Sequence, residues 1–169
     1  MPINQFVTSV KQEMTIEPKK KKYTECLKKD LEWGEKKELE VKKQLETYWR
    51  CELIKTHKTH PLDFVSLYKR CWIELKGRKN TKDKYSTTMI GYNKVVAGLK
   101  EIEKGYEVFF VFSFTDRLCY YQLKEVKEEW IKQGGRFDRG RPEVNDYYYI
   151  PVDELVDIGN TTIDLQVQV

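Results

Sequence analysis

A mixed α/β fold in a single domain is what this sequence predicts, and three stretches predict it. Between residues 24 and 49 the apolar or small positions Leu27, Leu31, Gly34, Val41, Leu45, Tyr48 and Trp49 recur at three- and four-residue steps, the stripe of an amphipathic helix. Residues 62–68 and 71–78 are rich in β-branched, aromatic and aliphatic side chains, with Lys69-Arg70 as a polar break, which reads as a β-hairpin. Residues 107–114 form a continuous apolar and aromatic run, the pattern of a strand buried on both faces. At 169 residues and 40% hydrophobic, the chain is large enough to enclose one core.

The first helix carries an anomaly. On the helical wheel Glu38 lies between Leu31 and Leu45, inside the apolar stripe. A carboxylate buried there needs a cation or a metal beside it, and a salt bridge to a lysine serves as well as an ion.

The hairpin brings polar groups together. A two-residue turn at Lys69-Arg70 sets Tyr68 opposite Cys71, Asp63 opposite Lys76 and Val65 opposite Glu74. Side chains alternate along a strand, so Trp72, Glu74, Lys76 and Arg78 point one way while Cys71, Ile73, Leu75 and Gly77 point to the apolar side. Asp63, Glu74 and Lys76 then share a face. Two carboxylates at that spacing suit Mg²⁺, which takes hard oxygen ligands and keeps several waters. A turn with an odd number of residues reverses the parity and scatters the trio. A solvated strand face also accounts for Glu74 and Lys76.

Beyond the hairpin, Arg78, Lys79, Lys82 and Lys84 form a basic cluster, read as a mobile loop able to hold a phosphate backbone without sequence preference. Ser86 or Thr87 can cap a helix running to about Lys104 and stopped by Gly105, with Met89, Val95, Val96, Leu99 and Ile102 as its packed side. Tyr92, Asn93 and Lys94 fall in its first turns, where Lys94 is a candidate DNA contact or simply a solvated side chain. After the strand at 107–114, residues 118–123 suggest another strand. Residues 126–133 suggest a short helix ended by Gly134-Gly135. The loop that follows contains Arg136, Arg139 and Arg141, whose guanidinium groups can fork onto phosphates or pair with Glu143, Asp146 and Asp153.

Other classes find little support. Cys26, Cys51, Cys71 and Cys119 are scattered with no C-x-x-C pair, which reads as reduced thiols rather than disulfides or zinc ligands. His57 and His60 lack the further ligands of a zinc site, and no nucleophile elbow suggests a serine hydrolase. No run of eighteen apolar residues and no signal-peptide pattern occurs, so the expected location is intracellular, cytoplasmic or nuclear, and not secreted. Net charge is +4, unevenly distributed, with Lys19–Lys22 as a further basic block that is either a phosphate-binding arm, a nuclear localisation signal or solvated surface.

Taken in order, Gly34-x-x-x-Glu38-x-x-Val41-x-x-x-Leu45, Pro61-Leu62-Asp63 and Glu74-Leu75-Lys76 resemble the PD-(D/E)xK nuclease superfamily, and within it the small stand-alone nucleases of phages and large DNA viruses. The resemblance covers about half the chain, and a leucine separates proline from aspartate here. It implies a restriction-endonuclease-like core, a central mixed sheet flanked by helices in α-β-β-β-α-β order, with a C-terminal α/β extension. The expected layout is one nuclease-like domain over 1–169, with a basic arm at 1–23, a core at 24–114 and an extension at 115–169. It further implies Mg²⁺ or Mn²⁺ held by Asp63, Glu74 and Glu38, a water positioned by Lys76, duplex or branched DNA as substrate, and a homodimer as one mode of assembly. A nucleic-acid-binding protein that keeps the fold without cutting is the alternative.

Overall fold

The computed structural model describes residues 17–136 and 143–159, and the side chains within 24–135, 144–158. Its elements run α1 (Glu17–Trp49), β1 (Ile54–Lys55), β2 (Phe64–Ser66), β3 (Cys71–Gly77), β4 (Thr87–Gly91), α2 (Tyr92–Glu103), β5 (Glu107–Ser113), β6 (Leu118–Leu123), β7 (Ile131–Arg136), β8 (Glu143–Pro151) and β9 (Val156–Gly159), with short 3-10 turns at Lys82–Lys84, Glu128–Trp130 and Val152–Glu154.

Two sheets result. Six strands form a mixed sheet in the order β1-β2-β3-β5-β6-β9, and β4-β8-β7 form a smaller antiparallel one. Among the described strands only β3 and β5 pair in parallel, Glu74 lying beside Phe110 and Lys76 beside Phe112, so the chain between them must cross over the sheet; β4 and α2 make that crossing.

The sheet is apolar on both faces, which is why β5 reads as an unbroken apolar run. Val108, Phe110 and Phe112 pack with Val95, Leu99 and Ile102 of α2 and with Tyr148 and Ile150 of the small sheet. Cys71, Ile73, Leu75, Phe109 and Val111 pack on the other side against Val41 and Leu45 of α1. Gly98 lets α2 settle on the sheet, since a Cβ there would lie 3.0 Å from Val108 and Leu123.

Several sequence expectations need correction. The hairpin turn spans four residues, because Ser66 pairs with Cys71, Val65 with Trp72 and Phe64 with Ile73, and Arg70 takes a positive φ of 51° to close it. Pairing therefore slides by two residues from the two-residue turn expected, and parity is preserved. The helix expected from Ser86 or Thr87 begins only at Tyr92; Thr87–Gly91 is a strand whose Thr88 and Ile90 point inward against β8. That extra strand is a departure from the α-β-β-β-α-β order. Residues 126–133 are not a helix but a 3-10 turn followed by β7, where Gly134 accommodates the Tyr149 hydroxyl 2.2 Å from the place a Cβ would occupy. Helix α1 starts at Glu17, ahead of the expected Thr24, and Lys19–Lys22 fall in its first turns. Its stripe buries only at Val41 and Leu45, while Leu31 is 60% exposed.

Candidate active site

Asp63 and Glu74 meet because of the hairpin pairing. Phe64 pairs with Ile73 at the start of β2, and Asp63, just ahead of that strand, donates its N–H to the Ile73 carbonyl at 2.9 Å, which holds it beside β3 close to Glu74. Its carboxylate is fixed in turn: Oδ2 accepts from the Leu75 N–H at 2.8 Å. Thr56 holds the preceding segment, with Oγ1 donating to the Leu62 carbonyl at 2.5 Å and its N–H to the Asp63 carbonyl at 2.9 Å.

Glu74 is completely buried, an unusual place for a carboxylate. Two ammonium groups compensate it, Lys76 Nζ at 2.7 Å and Lys94 Nζ at 3.0 Å from Oε1. Lys94 also donates to Oε2 at 3.2 Å and to the Pro61 carbonyl, tying α2 to the loop that carries Asp63. Both ammonium groups thus converge on Oε1, and the charge of Glu74 is met by protein cations rather than by solvent. Burial raises the Glu74 carboxyl above its ordinary value, Lys76 opposes that, Asp63 adds to it, and Lys94 opposes it again.

Glu38 is linked to the pair through a residue that sequence reasoning missed. Lys55, on the two-residue strand β1, bonds to Glu38 Oε2, stands 3.8 Å from Asp63 Oδ1 and lies over the Phe64 ring. The cation expected beside Glu38 is thus a lysine. Only its position opposite Phe64 marks Lys55, and a strand of two residues leaves no periodic pattern to find it by. The structure joins Glu74 and Lys76 directly, Asp63 stands beside them through its bond to the Leu75 N–H, and Glu38 is joined across Lys55.

The basic candidates divide. Arg78 is taken up inside the protein: Nε donates to Thr88 Oγ1 at 3.1 Å, Nη2 to the Met89 carbonyl, and the guanidinium lies over Phe112. Burial pushes its pKa down. Lys82 has a side chain only 12% exposed, at the start of the 3-10 turn, and pairs with Asp157 at 2.6 Å. Lys79 and Lys84 are exposed, lying over Trp33 and Tyr85 respectively. Lys94 belongs to the carboxylate cluster. Arg136 ends β7, and Arg139 and Arg141 lie outside the described residues.

A cleft of about 460 Å³ opens next to this cluster, between α1 and the end of β3, with Trp33, Gly34, Glu38, Lys76 and Lys79 among its walls. Chemically, the donor set fits a small hard cation: the neighbouring carboxylates of Asp63 and the fully buried Glu74 are hard oxygen donors, and two of them suffice for an ion that keeps most of its water. Among the described residues, no group of three or more His, Cys, Asp or Glu side chains is gathered closely enough to form a complete protein cage.

Comparison with known proteins adds one match. A family model described as "Phage putative PDDEXK endonuclease" matches residues 29–158, more than half of the chain. No curated protein and no solved structure matches it. The α/β architecture, with its mixed sheet and two helices, is compatible with a fold of that kind. Among the described residues no helix is long and apolar enough to cross a membrane.

Proposed function

The chain belongs to the phage PDDEXK endonuclease family, and on that premise we propose that it is a metal-dependent DNA endonuclease with a restriction-endonuclease-like core, into which β4 is inserted. The observation that carries the reading is a fully buried Glu74 with Lys76 at 2.7 Å and with the Asp63 carboxylate held next to it by the Leu75 N–H at 2.8 Å. Burying a carboxylate costs stability, and a nuclease site gives a reason for keeping one there.

In this reading Asp63 and Glu74 offer the oxygens that hold Mg²⁺ or Mn²⁺, and Glu38 supports them from α1. A bound divalent cation supplies Lewis-acid polarisation of the phosphoryl group and acidifies water. Lys76, with its ammonium beside Glu74 and its side chain 35% exposed, holds the attacking water in line with the scissile bond. Asp63 keeps its aim because the Leu75 N–H fixes one of its oxygens. Lys79 and Lys84 take the phosphates on either side, contacts that position DNA without reading its sequence. The products carry 5′-phosphates, as in the superfamily the sequence resembles.

A second reading, a DNA-binding protein that does not cut, draws on one observation. Lys55, Lys76 and Lys94 already balance the charges of Glu38, Asp63 and Glu74 without a metal. Cleavage assays on linear, nicked, junction and single-stranded DNA separate the two readings. The nuclease predicts cutting in Mg²⁺ that chelator stops and that Asp63→Ala or Lys76→Ala abolishes while DNA binding persists. Either variant cutting as fast as wild type would sink these roles.

A further inference from the structure

Gly34 stands in the middle of α1, where glycine weakens a helix relative to alanine. Packing usually explains such a residue, as it does at Gly77, where a Cβ would lie 2.5 Å from the Trp33 ring. At Gly34 it explains nothing, for a Cβ added there would meet, beyond its chain neighbours and the adjacent helix backbone, no atom of the described residues within 4 Å. The missing side chain leaves room that the protein itself does not fill.

That room is part of the cleft beside the carboxylates. Gly34 lies one helical turn from Glu38 on the same face of α1, and the opposite wall holds Lys76. Trp33 packs against β3 at Gly77, where its ring occupies the space a Cβ would need, and supplies an aromatic side to the cleft. The Lys79 ammonium sits 5.2 Å from the Trp33 ring centre and 3.5 Å from Asp30, and Lys37 also lines the cleft. An aromatic wall, lysines at the sides and bare helix backbone at the floor make a channel suited to a sugar-phosphate chain with its base against a ring.

We infer that this cleft is the groove through which one strand of DNA passes beside the cleavage site, and that Gly34 is a glycine so that the strand can approach the backbone of α1. The inference rests on the endonuclease reading for what happens to the strand, while binding in the groove is separable from cutting. Trp33 and the lysines contact base face and phosphate, so the groove accepts DNA irrespective of sequence.

The test uses the full chain in chelator, where no cleavage occurs, and labelled single-stranded and duplex DNA, with binding read by fluorescence anisotropy and folding by thermal unfolding. Gly34→Ala and Gly34→Gln both improve helix propensity and are expected to raise the melting temperature. Gly34→Gln, which fills the floor of the cleft, is expected to weaken DNA binding at least tenfold, and Gly34→Ala to weaken it less. Gly34→Gln binding as tightly as wild type, or either variant melting lower, would overturn the groove. Wild type that binds DNA but cuts nothing in Mg²⁺ would contradict the endonuclease reading and leave the groove standing, whereas wild type that binds no DNA in any form would overturn the groove itself.

Discussion

Gly77→Ala perturbs the joint between the first helix and the site strand. An ideal Cβ at residue 77 lies 2.5 and 2.6 Å from two atoms of the Trp33 ring, where ordinary contact begins at 3.4 Å. Something must therefore move by about 1 Å, the amount that turns a clash into contact. The strand cannot yield easily, because β3 is paired along its length with β5 and Gly77 itself lies opposite Ser113. Trp33 yields instead, and α1 with it. Overpacking of this kind costs about 1–3 kcal/mol. Alanine recovers about 0.5–1 kcal/mol over glycine within regular structure, so mid-range values leave a net loss of about 1 kcal/mol. For a chain of this size that lowers the melting temperature by about 2–5 °C. Glu38 rides on the same helix, and a displacement near 1 Å can cost about a hundredfold in rate, so cleavage is expected to fall much more than stability. The assay is a double-mutant cycle read by thermal unfolding and cleavage rate. Trp33→Ala removes the clashing ring, so adding Gly77→Ala to it should cost little. A Gly77→Ala variant as stable as wild type, or a penalty that persists when Trp33 is removed, would refute the reasoning.

Two other outcomes follow from the same contacts. Glu74→Gln should show a flatter stability profile against pH than wild type in chelator: burial raises the folded-state carboxyl above the ordinary 4.5, so its contribution is fully present below that value and lost as pH rises through the folded-state pKa. A chemical-denaturation series across pH checks this, and a variant whose stability has the same pH slope as wild type contradicts it. Arg78→Lys should destabilise the fold by about 1–3 kcal/mol, through loss of the guanidinium contacts to Thr88 and Met89, while the salt dependence of DNA binding stays unchanged; a shallower salt slope would place Arg78 on the DNA instead.

The part of the site legible in the sequence is the part that follows from strand periodicity. Alternation along 71–77 put Glu74 and Lys76 on one face, and an even-numbered turn kept Asp63 with them even though the turn proved to be four residues long. Exact pairing was not legible, because it depended on Arg70 adopting a positive φ, which non-glycine residues seldom signal. Thr87–Gly91 misled for a related reason: a serine and a threonine before an apolar run imitate a helix cap, and only pairing with β8 shows that Thr88 and Ile90 belong to a strand. Glycines at 134 and 135 likewise suggested a helix stop, whereas Gly134 makes space for a tyrosine across the sheet. Lys55 and Lys94 join the carboxylates from 8 and 31 positions away from Asp63, distances that no local pattern spans. The basic residues were legible by number but not by role, since a guanidinium taken up by Met89 and one free for phosphate look the same in a sequence.

Mn²⁺ binding tests the central claim most directly. Titration of the wild-type protein and of Asp63→Ala, followed by isothermal calorimetry and by electron paramagnetic resonance, is expected to show a site in the wild type that Asp63→Ala loses or weakens at least tenfold while its melting temperature in chelator stays close to wild type. Equal Mn²⁺ affinity in the two proteins, or none in the wild type even with uncleavable DNA bound, would contradict the assignment of Asp63 and Glu74 as the pair that holds the ion.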